Sequence, residues 1–340
     1  MVHRVDAGQG GLDREVLVFN VNFETSARMA KVVTFTPNPA VDIATAVEEL
    51  VPAHKLRCGP VRRDPGGGGI NVARVVHRLG GEAIAVYASG GGSGSELQDL
   101  LDREGVRHRP VRVAAHTRES FNITEERSAR QFRFVLPGEK LSEAECNACI
   151  AAAVGLLTGG DYFVASGSLP PGIGDDYYAR ALRAAKGAGA VTCLDTQGKP
   201  LALALAEGVD ILKASARELG GHLGFMPPDL SGWRAALMDM TRAHAVRTAV
   251  VTLGEGGALL VGASGAWHAA VPRIEGSTTV GAGDSFLGAL LFKLAAGARE
   301  DAALRYAAAA GTAALLTSGT GLCDPADLER LSARVELAAL

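Results

Sequence analysis

"DPGGGGINVARVVHRLGGEAIAVYAS", residues 64–89, runs from four glycines into an amphipathic stretch and out into an apolar one. Val72, Val75, Val76 and Leu79 fall at i, i+3, i+4 and i+7, one face of a helix. The closing EAIAVYAS (82–89) reads as a strand buried on both faces. The same rhythm recurs on either side. KVVTF (31–35), DYFVASG (161–167), AVTCLD (190–195), VDILKAS (209–215) and TAVVTLG (248–254) are strand-like, and YYARALRAAKGAG (177–189) reads as a helix closing at glycine. Strands alternating with amphipathic helices predict an α/β fold with a mostly parallel central sheet and helices on both faces. In such sheets ligands bind beyond the carboxyl ends of the strands.

Two stretches break the rhythm. Residues 40–64 and 109–137 are polar and β-like, and alternation in SARQFRFVLP suggests a strand with one wet face. Small antiparallel segments inserted into a parallel sheet serve as lids or oligomer contacts. Residues 1–30 show no period; they are read as an extension outside the fold, with Met29 as the functional start. At 340 residues, 47% hydrophobic and 21% charged, the chain suits a globular protein, and one α/β domain can absorb that length. A formal net charge of −3 supplies no basic field for nucleic acid. No apolar run reaches the roughly 18–20 residues that span a membrane, and no secretory signal precedes the first strand. Five scattered cysteines suggest no disulfide framework, and the expected compartment is the cytoplasm. Cys146 and Cys149 form C-x-x-C, but Ser142 and Glu145 make a capping box ahead of them, and the cysteines share one helix face with Ile150, Ala153, Val154 and Leu157. They read as core thiols rather than metal ligands.

Four features carry chemistry. In STTVGAGDSFLGALL (277–291), Gly281, Ala282 and Gly283 stand just before Asp284 at a helix start, whose unpaired amides and dipole suit an anion. On this stretch alone a plain helix cap accounts for Asp284 equally well. Gly66 to Gly69 let a backbone approach a ligand and Asn71 could bond a hydroxyl, though a flexible loop before a helix would read the same way. Asp42, after the first strand, could accept bonds from sugar hydroxyls or be a turn residue. Lys55, Arg57, Arg118 and Arg133 lie in the lid-like stretches; singly each reads as a surface charge, together they suit a phosphate. Arg133 alternates with Phe132 and Phe134, which puts it on the opposite strand face from those rings. A sugar phosphate on one side, a nucleotide on the other and an aspartate beside an anion hole describe phosphoryl transfer to a hydroxyl. Walker A is absent: Gly198-Lys199 is followed by Pro200, and GGGSGSEL (90–97) is assigned no phosphate.

GGGGINVAR near the start and STTVGAGDSFLGALL near the end resemble the two signature regions of the PfkB (ribokinase-like) sugar kinases. KLRCGPV, GGGGINVARVVHRLGG, QFRFVLPGEKL, SGSLPPG and TVGAGDS, in that order, are most similar to the bacterial 6-phosphofructokinases of that family. The resemblance covers about residues 31–335. It implies a ribokinase-like three-layer α/β/α sandwich with a small β lid, and ATP-dependent phosphorylation of fructose 6-phosphate to fructose 1,6-bisphosphate. Asp284 matches the family's base and Gly281, Ala282 and Gly283 its anion hole. Asp42, Gly67, Gly68, Asn71, Arg118 and Arg133 match sugar-phosphate positions, with Ser168 near the same cleft. Lys213, Thr252, Gly254 and Gly256 fall where the family binds ATP, and Glu218 matches a glutamate that arranges magnesium and phosphates through water. Thr278, Val280, Ala314 and Gly319 match a monovalent-cation (K+) site. A homodimer pairing its lids is implied.

The family usually reads Lys-Pro-Asn-x-x-Glu where this chain reads KASARE, with Ala214 and Ser215 in place of Pro-Asn. A serine hydroxyl still bonds water but lacks the amide donor. Tagatose-6-phosphate kinases and 1-phosphofructokinases of the same group usually carry Gly-Gly-Lys-Gly in place of Gly66 to Gly69; those activities are the alternatives within this chemistry. From another class, a non-catalytic sugar-phosphate sensor would keep the same fold.

Overall fold

The computed structural model describes residues 29–274, 280–317 and 321–340. Residues 1–28, the extension expected to be dispensable, lie outside the described residues.

In chain order the elements are β1 (Val32–Thr36), β2 (Ala40–Val47), β3 (Arg62–Gly66), α1 (Gly68–Arg78), β4 (Ala83–Ser89), α2 (Gly91–Arg103), β5 (His108–Arg112), β6 (Arg118–Glu125) and β7 (Gln131–Val135). There follow α3 (Glu143–Val154), β8 (Tyr162–Ser166), α4 (Tyr177–Gly187), β9 (Val191–Asp195), α5 (Gly198–Ala206), β10 (Ile211–Ser215), α6 (Ala216–Leu223), α7 (Leu230–Ala243) and β11 (Thr248–Thr252). The chain closes with β12 (Ala258–Gly262), β13 (Gly265–Ala270), α8 (Ala282–Ala295), α9 (Glu300–Ala313), α10 (Pro325–Ser332) and β14 (Glu336–Ala339).

Ten strands form the central sheet in the order β14-β13-β12-β11-β10-β9-β8-β1-β4-β5. The seven from β11 to β5 run parallel, and β12, β13 and β14 add an antiparallel edge. The expected α/β sandwich is therefore present. Its inner parallel strands are largely apolar because helices cover both faces: α1, α8 and α9 pack one core, α3, α4 and α7 the other. The capping box at Ser142 and Glu145 forms, and Cys146 and Cys149 are buried in the second core as expected.

Four strands make the separate small sheet, in the order β3-β2-β6-β7. Two boundaries differ from the sequence reading. β5 pairs with β4 as the edge of the central sheet, so residues 109–112, expected in the second lid stretch, belong there instead; their polar edge-strand composition is what made them look lid-like. Residues 336–339, placed outside the domain, pair with β13 as the other edge. Among the described residues, no helix is long and apolar enough to cross a membrane.

Candidate active site

The cleft lies where the carboxyl ends of β1, β8, β9 and β10 meet the lid sheet. Its floor is glycine. Gly67 caps α1 at a φ of 115°, and a Cβ there would stand 2.9 Å from Thr36 Cγ2. A Cβ on Gly66 would lie 2.5 Å from the carboxylate carbon of Asp42. One on Gly68 would collide with Ser166 Oγ and reach 3.5 Å from Asp284 Oδ1. The loop thus threads between Asp42 and Asp284, and only glycine leaves room.

Asp284 sits in the first turn of α8, whose cap is Gly281 in the left-handed region (φ 78°) with no side-chain capping bond. The helix-cap reading fails on that geometry. The carboxylate turns away from its own amides and its Oδ2 accepts from Asn71 Nδ2 at 2.8 Å. Ser285 N–H makes the first helical bond, to Gly281, so the N–H groups of Ala282, Gly283 and Asp284 have no acceptor within the helix. Burial raises the Asp284 pKa; the Asn71 hydrogen bond and then Lys213, Arg133 and Arg74 pull it back without cancelling the rise.

The lid supplies a charged face. Asp42 pairs with Ser120, Ala44 with Asn122, and Asn122 with Arg133. Paired residues share a face, so Asp42, Arg118, Ser120, Asn122 and Arg133 all line one side, with Ile43, Phe121, Ile123 and Phe132 on the other. Burial raises Asp42, against the nearby charges of Arg133 and Arg118. Arg118 donates to Asn38 O at 3.2 Å, Ser120 Oγ at 3.0 Å and Leu136 O at 3.1 Å, and Asn38 Nδ2 donates to Ser168 Oγ at 3.3 Å. That chain ties the lid to the loop after β8. Asn122 is buried, and neither of its amide atoms has a hydrogen-bond partner.

On the other side of Asp284 lies a buried ion pair. Lys213 Nζ reaches Asp195 Oδ2 at 3.0 Å and Oδ1 at 3.1 Å. A Cβ on Gly283 would stand 3.1 Å from that ammonium, so α8 begins directly over Lys213. Burial works against the lysine charge, but Asp195, Glu218 and Asp284 outweigh it and keep the ammonium protonated. Ser215 pairs with Thr252 across β10 and β11, next to the short 3-10 turn Gly254–Gly256. Ser215 caps α6 in a reciprocal box: its Oγ accepts from Glu218 N–H at 3.3 Å, and Glu218 Oε2 accepts from Ser215 N–H at 2.7 Å.

The model of the pfkB family carbohydrate kinases matches residues 36–327. The chain belongs to that family. The kinase is 43% identical over 313 residues to an ATP-dependent 6-phosphofructokinase isozyme 2 of Mycobacterium tuberculosis, covering 91% of this chain and 90% of that protein. It is 32% identical to a 1-phosphofructokinase of Xanthomonas campestris, over 79% of this chain and 85% of the relative. Its fold superposes on phosphofructokinase-2 from Escherichia coli in complex with potassium, with a TM-score of 0.86, 36% identity and coverage of 90% and 99%. The fold is ribokinase-like, and the enzyme class is a phosphotransferase with an alcohol acceptor.

Most predicted residues of the kinase converge, with exceptions. Lys55 and Arg57 stand exposed on the loop between β2 and β3 and join neither charged cluster. The Ser215 hydroxyl, expected to bond water, accepts the Glu218 N–H of the cap, which leaves its own O–H to donate. Ala314, matched to the cation site, accepts through its carbonyl from Thr317 Oγ1 at 2.8 Å and Thr317 N–H at 3.3 Å. Val280 directly precedes the cap of α8, whereas Thr278 and Gly319 lie outside the described residues. Sequence reasoning missed Asp195, although it is the last residue of a parallel strand's carboxyl end, where ligands bind. It also missed Arg74 and Asn122.

Proposed function

We propose that the kinase transfers the γ-phosphoryl group of ATP to the primary hydroxyl of fructose 6-phosphate, giving fructose 1,6-bisphosphate and ADP. The observation that carries this reading is Asp284, aimed by Asn71 beside the unpaired amides of α8, with the lid cations on one side and Lys213 on the other. Asp284 accepts the hydroxyl proton; the freed oxygen bonds the γ-phosphorus, and the bond to the β-phosphate oxygen breaks with its electron pair leaving on ADP. A carboxylate held above its usual pKa is the stronger base for that step. The amides of residues 282–284 face the charge that develops on the transferring group. On the lid, Arg133 and Arg118 suit the 6-phosphate, Asp42 the sugar hydroxyls, and the unpartnered Asn122 amide adds a donor and an acceptor to that face.

Magnesium is normally held by one or two carboxylates together with substrate phosphates and water. Glu218 and Asp195 fit that donor set; among the described residues no three acidic, histidine or cysteine side chains converge to hold a metal unaided. When bound, the ion neutralises the nucleotide phosphates. Potassium, present with phosphofructokinase-2 from Escherichia coli, would by the same family resemblance sit near Val280 and Ala314. Phe134, Val135 and Leu136 are 49%, 56% and 44% exposed at the end of β7, an edge strand of the lid, and that exposed apolar edge supports a second copy pairing there.

The 1-phosphofructokinase reading has a relative at 32% identity in its favour. Gly68 weighs against it, because the lysine usual there would drive its Cβ into Ser166 and crowd Asp284. Steady-state kinetics with ATP and a panel of fructose 6-phosphate, fructose 1-phosphate and tagatose 6-phosphate tests the choice. Fructose 6-phosphate should lead in kcat/KM by at least about tenfold, ~1.4 kcal/mol of preferential transition-state binding. Equal or higher values for another sugar overturn the assignment.

A further inference from the structure

Behind the catalytic pair lies a chain of contacts reaching from α8 through α1 to the end of α2. We propose that Arg74 and Glu104 are positioning residues for phosphoryl transfer: Glu104 clamps the buried Arg74 guanidinium, which holds the Asn71 amide in the one orientation that donates to Asp284.

Arg74 is 1% exposed. Its Nε donates to Glu104 Oε2 at 2.8 Å and its Nη2 to Glu104 Oε1 at 2.5 Å, a paired fork. Its Nη1 donates to Pro65 O at 3.0 Å, just before the glycine loop, and to Asn71 Oδ1 at 3.0 Å. An asparagine amide has no intrinsic orientation, since its oxygen and nitrogen ends are nearly the same size. Arginine breaks the tie because it carries donors only. Facing Arg74, the amide must present Oδ1, which leaves Nδ2 for Asp284. Flipped, it would set Oδ1 against the carboxylate, two acceptors in contact.

Arg74 is buried and Glu104 only partly so, at 1% and 27% side-chain exposure, and burying a guanidinium for one ion pair seldom stabilises more than an apolar residue of the same volume. Glu104 stands at the far end, at the cap of α2, where Arg78 also reaches it at 3.5 Å. Burial would raise the Glu104 pKa, but its bonds and charge contact with Arg74 outweigh that and hold it low, so the clamp stays ionised at neutral pH. Neither Arg74 nor Glu104 bonds Asp284: Glu104 acts through Arg74, and Arg74 acts through its bond to Asn71 with a smaller direct effect of its charge on Asp284.

The inference rests on Asp284 being the base, and its test separates the two. In the full chain, Glu104→Gln keeps the shape but loses the charge-assisted fork, and kcat should fall roughly tenfold with both KM values nearly unchanged. Added to Asn71→Ala, the same change should cost less than about twofold, because the residue it acts through is gone. Equal losses in the two backgrounds, or unchanged kcat in Glu104→Gln alone, overturn the proposal. Arg74→Lys, which cannot bond Asn71 and fork to Glu104 together, should repeat the result if Glu104→Gln folds poorly. An activity-free readout is hydrogen exchange of the Asn71 side-chain amide followed by NMR. It should be protected in the unaltered chain and lose protection in Glu104→Gln; equal protection in both sinks the proposal even if no hexose monophosphate is turned over, an outcome that by itself would strike only the kinase assignment.

Discussion

Lys213→Met removes one half of a buried ion pair whose side chains are 6% and 9% exposed. Stranding the remaining charge in such a pair costs about 3–5 kcal/mol. Here the cost depends on pH. Burial pushes Asp195 up to about 6 even with Lys213 opposing it, and Glu218 and Asp284 push the same way. Without the ammonium the carboxyl rises further and takes up a proton. A carboxyl whose folded pKa stands above its unfolded value, about 3.9, exacts no penalty below that value. The penalty grows as pH rises through the folded pKa. Near pH 5 the variant should therefore lose only about 0.5–1.5 kcal/mol, the worth of the hydrogen bonds, and near pH 8 the full 3–5. Urea unfolding of wild type, Lys213→Met and Lys213→Met/Asp195→Asn at both pH values measures this. The double variant, with no stranded charge, should recover most of the loss near pH 8. A loss independent of pH, or a double variant weaker than the single, refutes the electrostatic account.

Arg133→Ala should raise the KM for fructose 6-phosphate about 10–150-fold and leave that for ATP nearly unchanged; Arg118→Ala should do the same with some added instability, because its donors also hold Asn38 and the Leu136 carbonyl. Equal effects on both substrates would place the phosphate elsewhere. Ser215→Asn keeps a good cap for α6, so the melting temperature should hold while the amide nitrogen left over lowers the magnesium needed for half-maximal kcat; superimposable titrations would remove position 215 from the nucleotide site. Gly68→Ala should lose about 1–3 kcal/mol and most of kcat by forcing Ser166 aside, and adding Ser166→Ala should restore part of both. Wild-type kcat in Gly68→Ala would mean the loop is slack.

The parallel sheet was readable because its strands are continuous apolar runs and its helices keep the 3.6-residue period, as at Val72, Val75 and Val76. The edges were harder. β5 and β14 alternate weakly, carry polar residues and depend on a neighbour across the sheet for their register. Within the site, local motifs gave up Asp284, Asn71 and the glycines because their chemistry sits in a few consecutive residues. The box formed by Ser215 and Glu218 is written in the sequence as S-x-x-E, and the same two residues fall in the motif that the family uses for the nucleotide. Arg74 and Glu104 are 30 residues apart and meet only in the fold, where the Arg74 side chain reaches from α1 to the cap of α2. Asn122 gives no sequence signal beyond strand parity; its significance is an unpartnered amide, which only side-chain coordinates reveal.

The central claim is that Asp284 takes the proton from the sugar hydroxyl. Asp284→Asn keeps the contact to Asn71 in shape but cannot accept that proton, so single-turnover and steady-state rates should fall by about 10²–10⁴-fold. Titration calorimetry with fructose 6-phosphate should meanwhile give nearly unchanged binding. A variant that retains more than a tenth of the wild-type kcat would contradict the account and leave Asp284 as a structural partner of Asn71.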